Sequence, residues 1–300
     1  MTRTAMASPE RQRGVALITA LVVMAIATAI AAAMYWRNAL ATRRTAAVVQ
    51  GDQAMEYALG AEGWAEQILA RDAKKKHGVT SLDQDWAQQL PPLPVDGGQI
   101  QGKLEDLQGR FNINNVTAAG GVRQFQLLLQ ALGQDPNLAQ AVAAWIQAGN
   151  GMANANDDNY TRLQPPYITG QHAMESITEL QLVTGFTPAV YAQVAPYVCA
   201  LPAPTSVNIN TASIPVIESL NENITADVAS QVIGERGSAP LTTSPDALKP
   251  FNIPNPNFDS SYFLLTVVAQ IGSTHVTLYS LLKRDGAGQV TAIRRTFGTL

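Results

Sequence analysis

Residues 15–36 form an unbroken uncharged run, Val15-Ala16-Leu17-Ile18-Thr19-Ala20 and onward to Trp36, with Arg11-Gln12-Arg13-Gly14 before it and Arg37 after it. An apolar stretch of about 20 residues is what a helix needs to cross the hydrocarbon core of a bilayer, so this segment can span a membrane by itself. No proline follows until Pro91, and from Arg37 to about Lys76 the chain is rich in Ala, Glu, Gln and Arg. Met55, Leu59, Glu62 with Trp64, and Ile68 with Leu69 recur at helical spacing, which predicts a face that docks on a globular domain. The two stretches join into one helix of roughly 60 residues, about 90 Å long. Gly51, Gly60 and Gly63 each weaken it by about 1 kcal/mol against alanine and are the places to expect bends. Lys74-Lys75-Lys76 suits the negative end of the helix dipole, and His77-Gly78 reads as its stop.

From Asp96-Gly97-Gly98 the pattern changes to strand over Gln99 to Leu107. Gly109-Arg110-Phe111-Asn112-Ile113-Asn114-Asn115 follows. Here Arg110 can clamp a carboxylate or main-chain carbonyls, and Asn112 and Asn114 can satisfy a turn, so the expected role is structural. Residues 116–200 read as mostly helical, with Phe125, Leu127, Leu128, Leu129 and Leu132 in one element and Leu138, Val142, Trp145 and Ile146 in the next. Pro188 and Val190 to Val198 give one more short helix. The chain closes as a meander: Tyr262 to Ile271, a turn at Gly272-Ser273, His275 to Lys283, a turn at Asp285-Gly286, and Gln289 to Phe297. These three strands and the one near Ile100 predict a small antiparallel sheet packed on the first helix, an α+β fold.

Composition narrows the functions available. Three hundred residues leave room for about two domains beyond a membrane helix. The net charge is −3, and no strongly basic region exists to attract nucleic acid or anionic lipid. Cys199 is the single cysteine, which excludes an intramolecular disulfide and a cysteine-based zinc site. His77, His172 and His275 each stand alone, without a serine, cysteine or carboxylate constellation around them, and no nucleotide loop or metalloprotease motif occurs. An enzyme is therefore the weakest reading.

Two processing routes fit the amino terminus. A signal peptidase would use Ala31-Ala32-Ala33 and release a soluble secreted domain. The junction of basic residues with Gly14, however, resembles the leader of type IV prepilins and pseudopilins. That resemblance implies cleavage after Gly14 by a prepilin peptidase, methylation of the new terminus at Val15, and survival of the helix. Removing the leader, with its three arginines and one glutamate, takes the net charge from −3 to −5. Orientation is a tie by charge, Arg3, Arg11 and Arg13 against Arg37, Arg43 and Arg44, and the resemblance sets the amino terminus inside. Thr19 is the fifth residue from Val15, where most members of those families carry a glutamate that pairs with the terminal ammonium of the subunit above. Its absence implies a subunit with none above it; the plain alternative is a threonine bonding back to a helix carbonyl.

Leu104-Glu105-Asp106, then Gly109-Arg110-Phe111-Asn112 and Asn114, resembles the minor pseudopilin K family of bacterial type II secretion, as do the missing glutamate and the segment Thr178 to Phe186. The resemblance implies a pseudopilin helix packed on a small antiparallel sheet, with a large inserted helical domain. The expected organisation is leader 1–14, membrane and fibre-core helix 15–36, pseudopilin helix and first strands 37–115, inserted helical domain 116–205, a degenerate helix-hairpin-helix-like segment 206–257, and a β-meander 258–300. In that last helical segment Asn208, Asn210 and Thr211 precede Val216, Ile217 and Leu220, with Asn210 or Thr211 expected to cap a helix starting at Ser213 or Ile214 and Pro215 in its first turn. The hairpin itself is Asn221-Glu222-Asn223, which lacks the glycines and carries the wrong charge for phosphates, so no nucleic acid is expected.

Calcium is the one ligand to weigh, at the loop from Asn150 to Tyr160, with Asp157, Asp158 and Asn159 as its ligands. Members of the resembled family show Asp-Trp-x-Asp where this chain has Ala144-Trp145-Ile146-Gln147, and Glu-Asp where it has Asn156-Asp157, so the site is depleted in acid; a loop held by Asx turns is the alternative. The implied function is to cap a pseudopilus, with minor pseudopilins I and J and the rest of the fibre as partners, in the bacterial inner membrane with the carboxyl-terminal domain periplasmic. Exoprotein substrate is a further implied contact. The competing class is a membrane-anchored or secreted binding protein, including a competence-type DNA binder.

Overall fold

The computed structural model describes residues 10–75, 78–89, 91–147, 157–202, 204–242, 251, 253 and 256–298. Helix α1, Glu10–Lys75, is continuous over 66 residues. It runs unbroken through all three glycines. Its amino-terminal part touches nothing, and an 18-residue window of mean hydropathy 2.6 within it is wholly exposed. That is the condition of a helix whose solvent is lipid or other helices rather than water.

From Gln50 onward α1 lies on a sheet, but the face it buries differs from the predicted one. Ala54, Ala58, Glu62, Ala65, Leu69 and Asp72 are buried, whereas Met55 and Trp64 are 40% and 49% exposed. Leu59 and Ile68 flank the contact. Alanines at the centre let the helix axis approach the sheet closely, and the larger side chains are displaced to the edges of the contact. The strip ends at Asp72, which accepts a hydrogen bond from Trp86 N at 3.0 Å. Burial pushes the Asp72 carboxyl up from its ordinary range.

The sheet has five strands rather than the four expected. β1, Leu93–Val95, pairs with β2, Gly98–Asp106, through a turn at Asp96-Gly97. The chain then leaves the sheet for about 155 residues and returns as β5, Tyr262–Ile271, β6, Thr274–Arg284, and β7, Val290–Phe297. The order is β1-β2-β5-β6-β7 with every neighbour antiparallel. β5 is central, opposing β2 from Gly98↔Ile271 to Asp106↔Phe263. Trp86 packs edge-on against Phe263 at 5.4 Å between α1 and the sheet.

The excursion contains β3, Phe111–Asn112; α2, Gly121–Ala131; α3, Leu138–Ile146; α4, Asp158–Thr161; α5, Pro188–Val194; β4, Val198–Cys199; α6, Ile214–Glu218; and α7, Ala226–Ser238. β3 and β4 pair in parallel, tying the start of the insertion to residues nearly ninety positions later. The first part of the segment Thr178 to Phe186 lies in a 3-10 helix, Ile177–Leu182, opened by a Ser176–Glu179 capping box. Phe111 stacks on Phe125 at 5.3 Å in the middle of a second core that includes Leu128, Val142, Leu180 and Ile217. The expected helix after residue 213 is present as α6 with Pro215 in its first turn, but neither Asn210 nor Thr211 caps it; Ser213 holds the cap position without a side-chain bond.

Candidate functional site

Gly14 and Val15 lie within α1. No atom beyond the helix stands within 4 Å of where a Cβ on Gly14 would be. Thr19 donates its hydroxyl to Ala16 O at 3.0 Å, and Thr28 does the same to Met24 O at 2.7 Å. The helix therefore satisfies its own polar side chains, and no acidic residue occurs between Val15 and Gly51.

The sequence motifs 104–114 and 207–213 meet at Asp106, at the end of β2, where the sheet hands over to the insertion. Asp106 is buried. Its Oδ1 accepts from Gln108 N at 2.8 Å. Its Oδ2 accepts from Thr211 Oγ1 at 2.6 Å, Ser260 Oγ at 2.7 Å and Asn208 Nδ2 at 3.0 Å. Burial pushes its carboxyl upward, and the four donors offset only part of that. Asn208 also donates to Thr80 O at 3.0 Å, so the end of α1's connection, the end of β2, the 208–211 turn and the start of β5 converge on one carboxylate. Thr211, expected as a helix cap, serves this cluster instead.

Around it, side-chain amides pair with main chain as a strand would. Asn114 accepts from Met174 N at 2.8 Å and donates to Met174 O and Leu201 O, both at 2.9 Å. Asn210 accepts from Leu241 N at 2.8 Å and donates to Leu241 O at 2.9 Å. Asn112 closes its own turn by accepting from Asn114 N at 3.2 Å and also takes Leu201 N at 3.1 Å. Arg236 Nη1 donates to Ile209 O and Ala212 O, both at 2.6 Å, clamping the same segment from α7. Arg110 faces Glu105 at 3.5 Å. Each asparagine thus closes a long-range connection that two-residue strands cannot hold alone. Cys199 is buried beside them, its thiol pushed up by burial and donating to Leu107 O at 3.2 Å.

Asp157 precedes α4 and is buried, but its oxygens face this chain. Oδ1 accepts from Thr169 N at 3.0 Å and Thr169 Oγ1 at 2.7 Å, and Oδ2 accepts from Gln171 Nε2 at 3.3 Å. Asp158 and Asn159 stand exposed in the first turn of α4. Calcium takes six to eight oxygens; of the expected ligands, the Asp157 carboxylate is engaged by donors of this chain. Among the described residues no three of His, Cys, Asp and Glu cluster as a metal site. The remainder of the expected loop, 150–156, and His77 lie outside the described residues. The hairpin acid Glu222 is exposed and pairs with Arg123 at 3.0 Å. None of these polar groups lines up as nucleophile, base and orienter.

A long apolar helix that runs on into a helix packed across an antiparallel sheet defines a pseudopilin-type subunit, here with a helical insertion between β2 and β5. The chain matches the family described as type II secretion system (T2SS), protein K over residues 109–203 and again over 207–263. Type II secretion system protein K of Aeromonas hydrophila is 32% identical, with 98% of this chain and 99% of the relative covered. The protein of that name from Pectobacterium carotovorum subsp. carotovorum is 34% identical, with 96% and 97% covered. A chain in the crystal structure of the GspK-GspI-GspJ complex from enterotoxigenic Escherichia coli superposes with a TM-score of 0.70 at 22% identity, covering 86% of this chain and all of that one, which shows a shared fold. The chain belongs to the type II secretion system protein K family, the minor pseudopilins that carry a helical insertion.

Proposed function

We propose that this subunit occupies the tip of a periplasmic pseudopilus and works there with minor pseudopilins I and J to move folded proteins across the outer membrane. The observation that carries the reading is the helix from Val15: uninterrupted, apolar, and without an acid at Thr19. A carboxylate inside the bilayer costs about 2.5–3.5 kcal/mol on insertion scales and is retained where a neighbour's ammonium needs it. A subunit with no neighbour above has no such need. The insertion between β2 and β5, held by Asp106 and the asparagine clasps, supplies the bulk that stops further stacking.

In this reading a prepilin peptidase cuts after Gly14 and Val15 becomes the methylated terminus. The helix then sits once through the inner membrane, amino terminus cytoplasmic and globular part periplasmic, before extraction into the fibre. Exoprotein contact at the tip follows from the position. Sequencing the mature protein tests the processing step: N-methylated Val15 is expected, and a terminus near Met34 would overturn the anchor.

A further inference from the structure

Between Val15 and Gly51 the charged residues are Arg37, Arg43 and Arg44 alone. All three are exposed, and among the described residues no side chain pairs with any of them. α1 meets the sheet at Gln50, whose Oε1 accepts from Thr274 Oγ1 at 3.3 Å. Residues 37–49 are thus a bare stalk about 20 Å long, exposed throughout except at the half-covered Ala39. The whole chain has no strongly basic region, so what these arginines can bind is decided by where they stand.

Tyr35 and Trp36, 77% and 73% exposed, end the uncharged run. Such rings, apolar in body and polar at one tip, settle at the headgroup level of a bilayer. Arg37 follows directly, and Arg44 lies about 12 Å further along the axis than Trp36. Side chains of a helix lean toward its amino terminus, which for this stalk is toward the membrane, and an arginine stem is long enough to return its guanidinium several Å. All three therefore reach the headgroup layer, which is about 5–8 Å deep on each side of the hydrocarbon. A guanidinium meets a phosphate there by two parallel hydrogen bonds.

We propose that Arg37, Arg43 and Arg44 form a collar that binds the phosphates of anionic phospholipids in the periplasmic leaflet and so fixes the depth of α1. The collar rests on the membrane-anchor reading given above. Its occupant follows from the angular spread of the charges: at about 100° per residue Arg37 and Arg44 share one stripe, while Arg43 stands about 100° away from Arg44. A protein neighbour meets a helix along one side, whereas lipid surrounds it, and arginines on two sides of a bare stalk suit the second. Cleavage after Gly14 removes Arg3, Arg11 and Arg13, which leaves the collar as the charged side chains next to the span.

The test uses the full-length chain in vesicles of phosphatidylcholine and phosphatidylglycerol, with bromine on the acyl chains of one lipid or the other. Bromine quenches an indole only at contact, Trp36 is the one tryptophan between Val15 and Gly51, and Arg3, Arg11 and Arg13 face the opposite leaflet. Phosphatidylglycerol is expected to be selected around Trp36 about threefold or more, and the selectivity to fade as salt rises to about 0.5 M. A variant combining Arg37→Gln, Arg43→Gln and Arg44→Gln is expected to lose the selectivity with an unchanged melting temperature. Equal quenching by the two lipids overturns the collar alone, as does selectivity that survives in the triple variant. Absence of quenching by either lipid removes the membrane anchor and the collar together. Should the triple variant not fold, the salt series on the native chain decides, and selectivity indifferent to salt overturns the collar.

Discussion

Asp106 gathers donors from residues 108, 208, 211 and 260, and no local pattern in the sequence marks it as a junction. Its folded pKa is raised above the unfolded value, so it stabilises most below the unfolded pKa, near 4, and that contribution is lost as pH rises through the folded pKa. Asparagine at this position sets its NH2 against that of Asn208. Asp106→Asn is therefore expected to destabilise by about 1–3 kcal/mol at pH 4, with the gap to the native protein narrowing toward neutrality. Denaturant unfolding at both pH values reads the difference, and a gap that widens toward pH 7 contradicts the account. At Asn114 three main-chain groups would be left buried without partners, so Asn114→Ala is expected to cost about 3 kcal/mol, measurable in the same way. The structural role of Asn112 and Asn114 was legible from their turn-forming chemistry. Their partners were not, because Met174 and Leu201 lie 60 and 87 residues from Asn114.

Helix α1 shows where reading by hydrophobic size goes astray. Trp64 and Met55 carry the most apolar area on their turns, yet the sheet takes Ala54, Ala58 and Ala65. Close approach leaves room for small side chains only, and periodicity among large ones then points about one residue off the true face. Glu62 was placed near the contact by its spacing, but its partner was not foreseen. Arg295 of β7 donates Nε at 2.9 Å to Oε2 and Nη2 at 2.7 Å to Oε1, while Ser280 of β6 hydrogen-bonds the same carboxylate. The pair fixes the rotation of α1 on the two last strands, and Glu62 in turn raises the Arg295 pKa. Arg295→Ala leaves the buried Glu62 carboxylate without its cation, and because Arg295 itself is half exposed and screened by water the expected cost is about 1–2 kcal/mol. Glu62→Gln keeps the contact with Ser280 and should cost less, by thermal unfolding of the two variants. The reverse order would show that the pair does not set the register.

For the molecule as a whole, the amino-terminal helix, the α+β class and the closing meander were legible because each rests on a long periodic run. β1, three residues long, and the β3–β4 pairing, two residues on each side, were not, since so short a segment has no period to read. The motif at 104–114 and the one at 207–213 were visible as separate pieces, and the fold reveals them as halves of one junction between sheet and insertion. That junction anchors the insertion to the sheet, and with the acid-free apolar part of α1 it is what the proposed tip position rests on. The most direct test places a photo-activated cross-linking residue at Ile30, on the exposed apolar part of α1, in the full-length chain within secreting cells. The account predicts adducts with the companion minor subunits and none between two copies of this chain. A ladder of copy-to-copy adducts, as a shaft subunit would give, contradicts it.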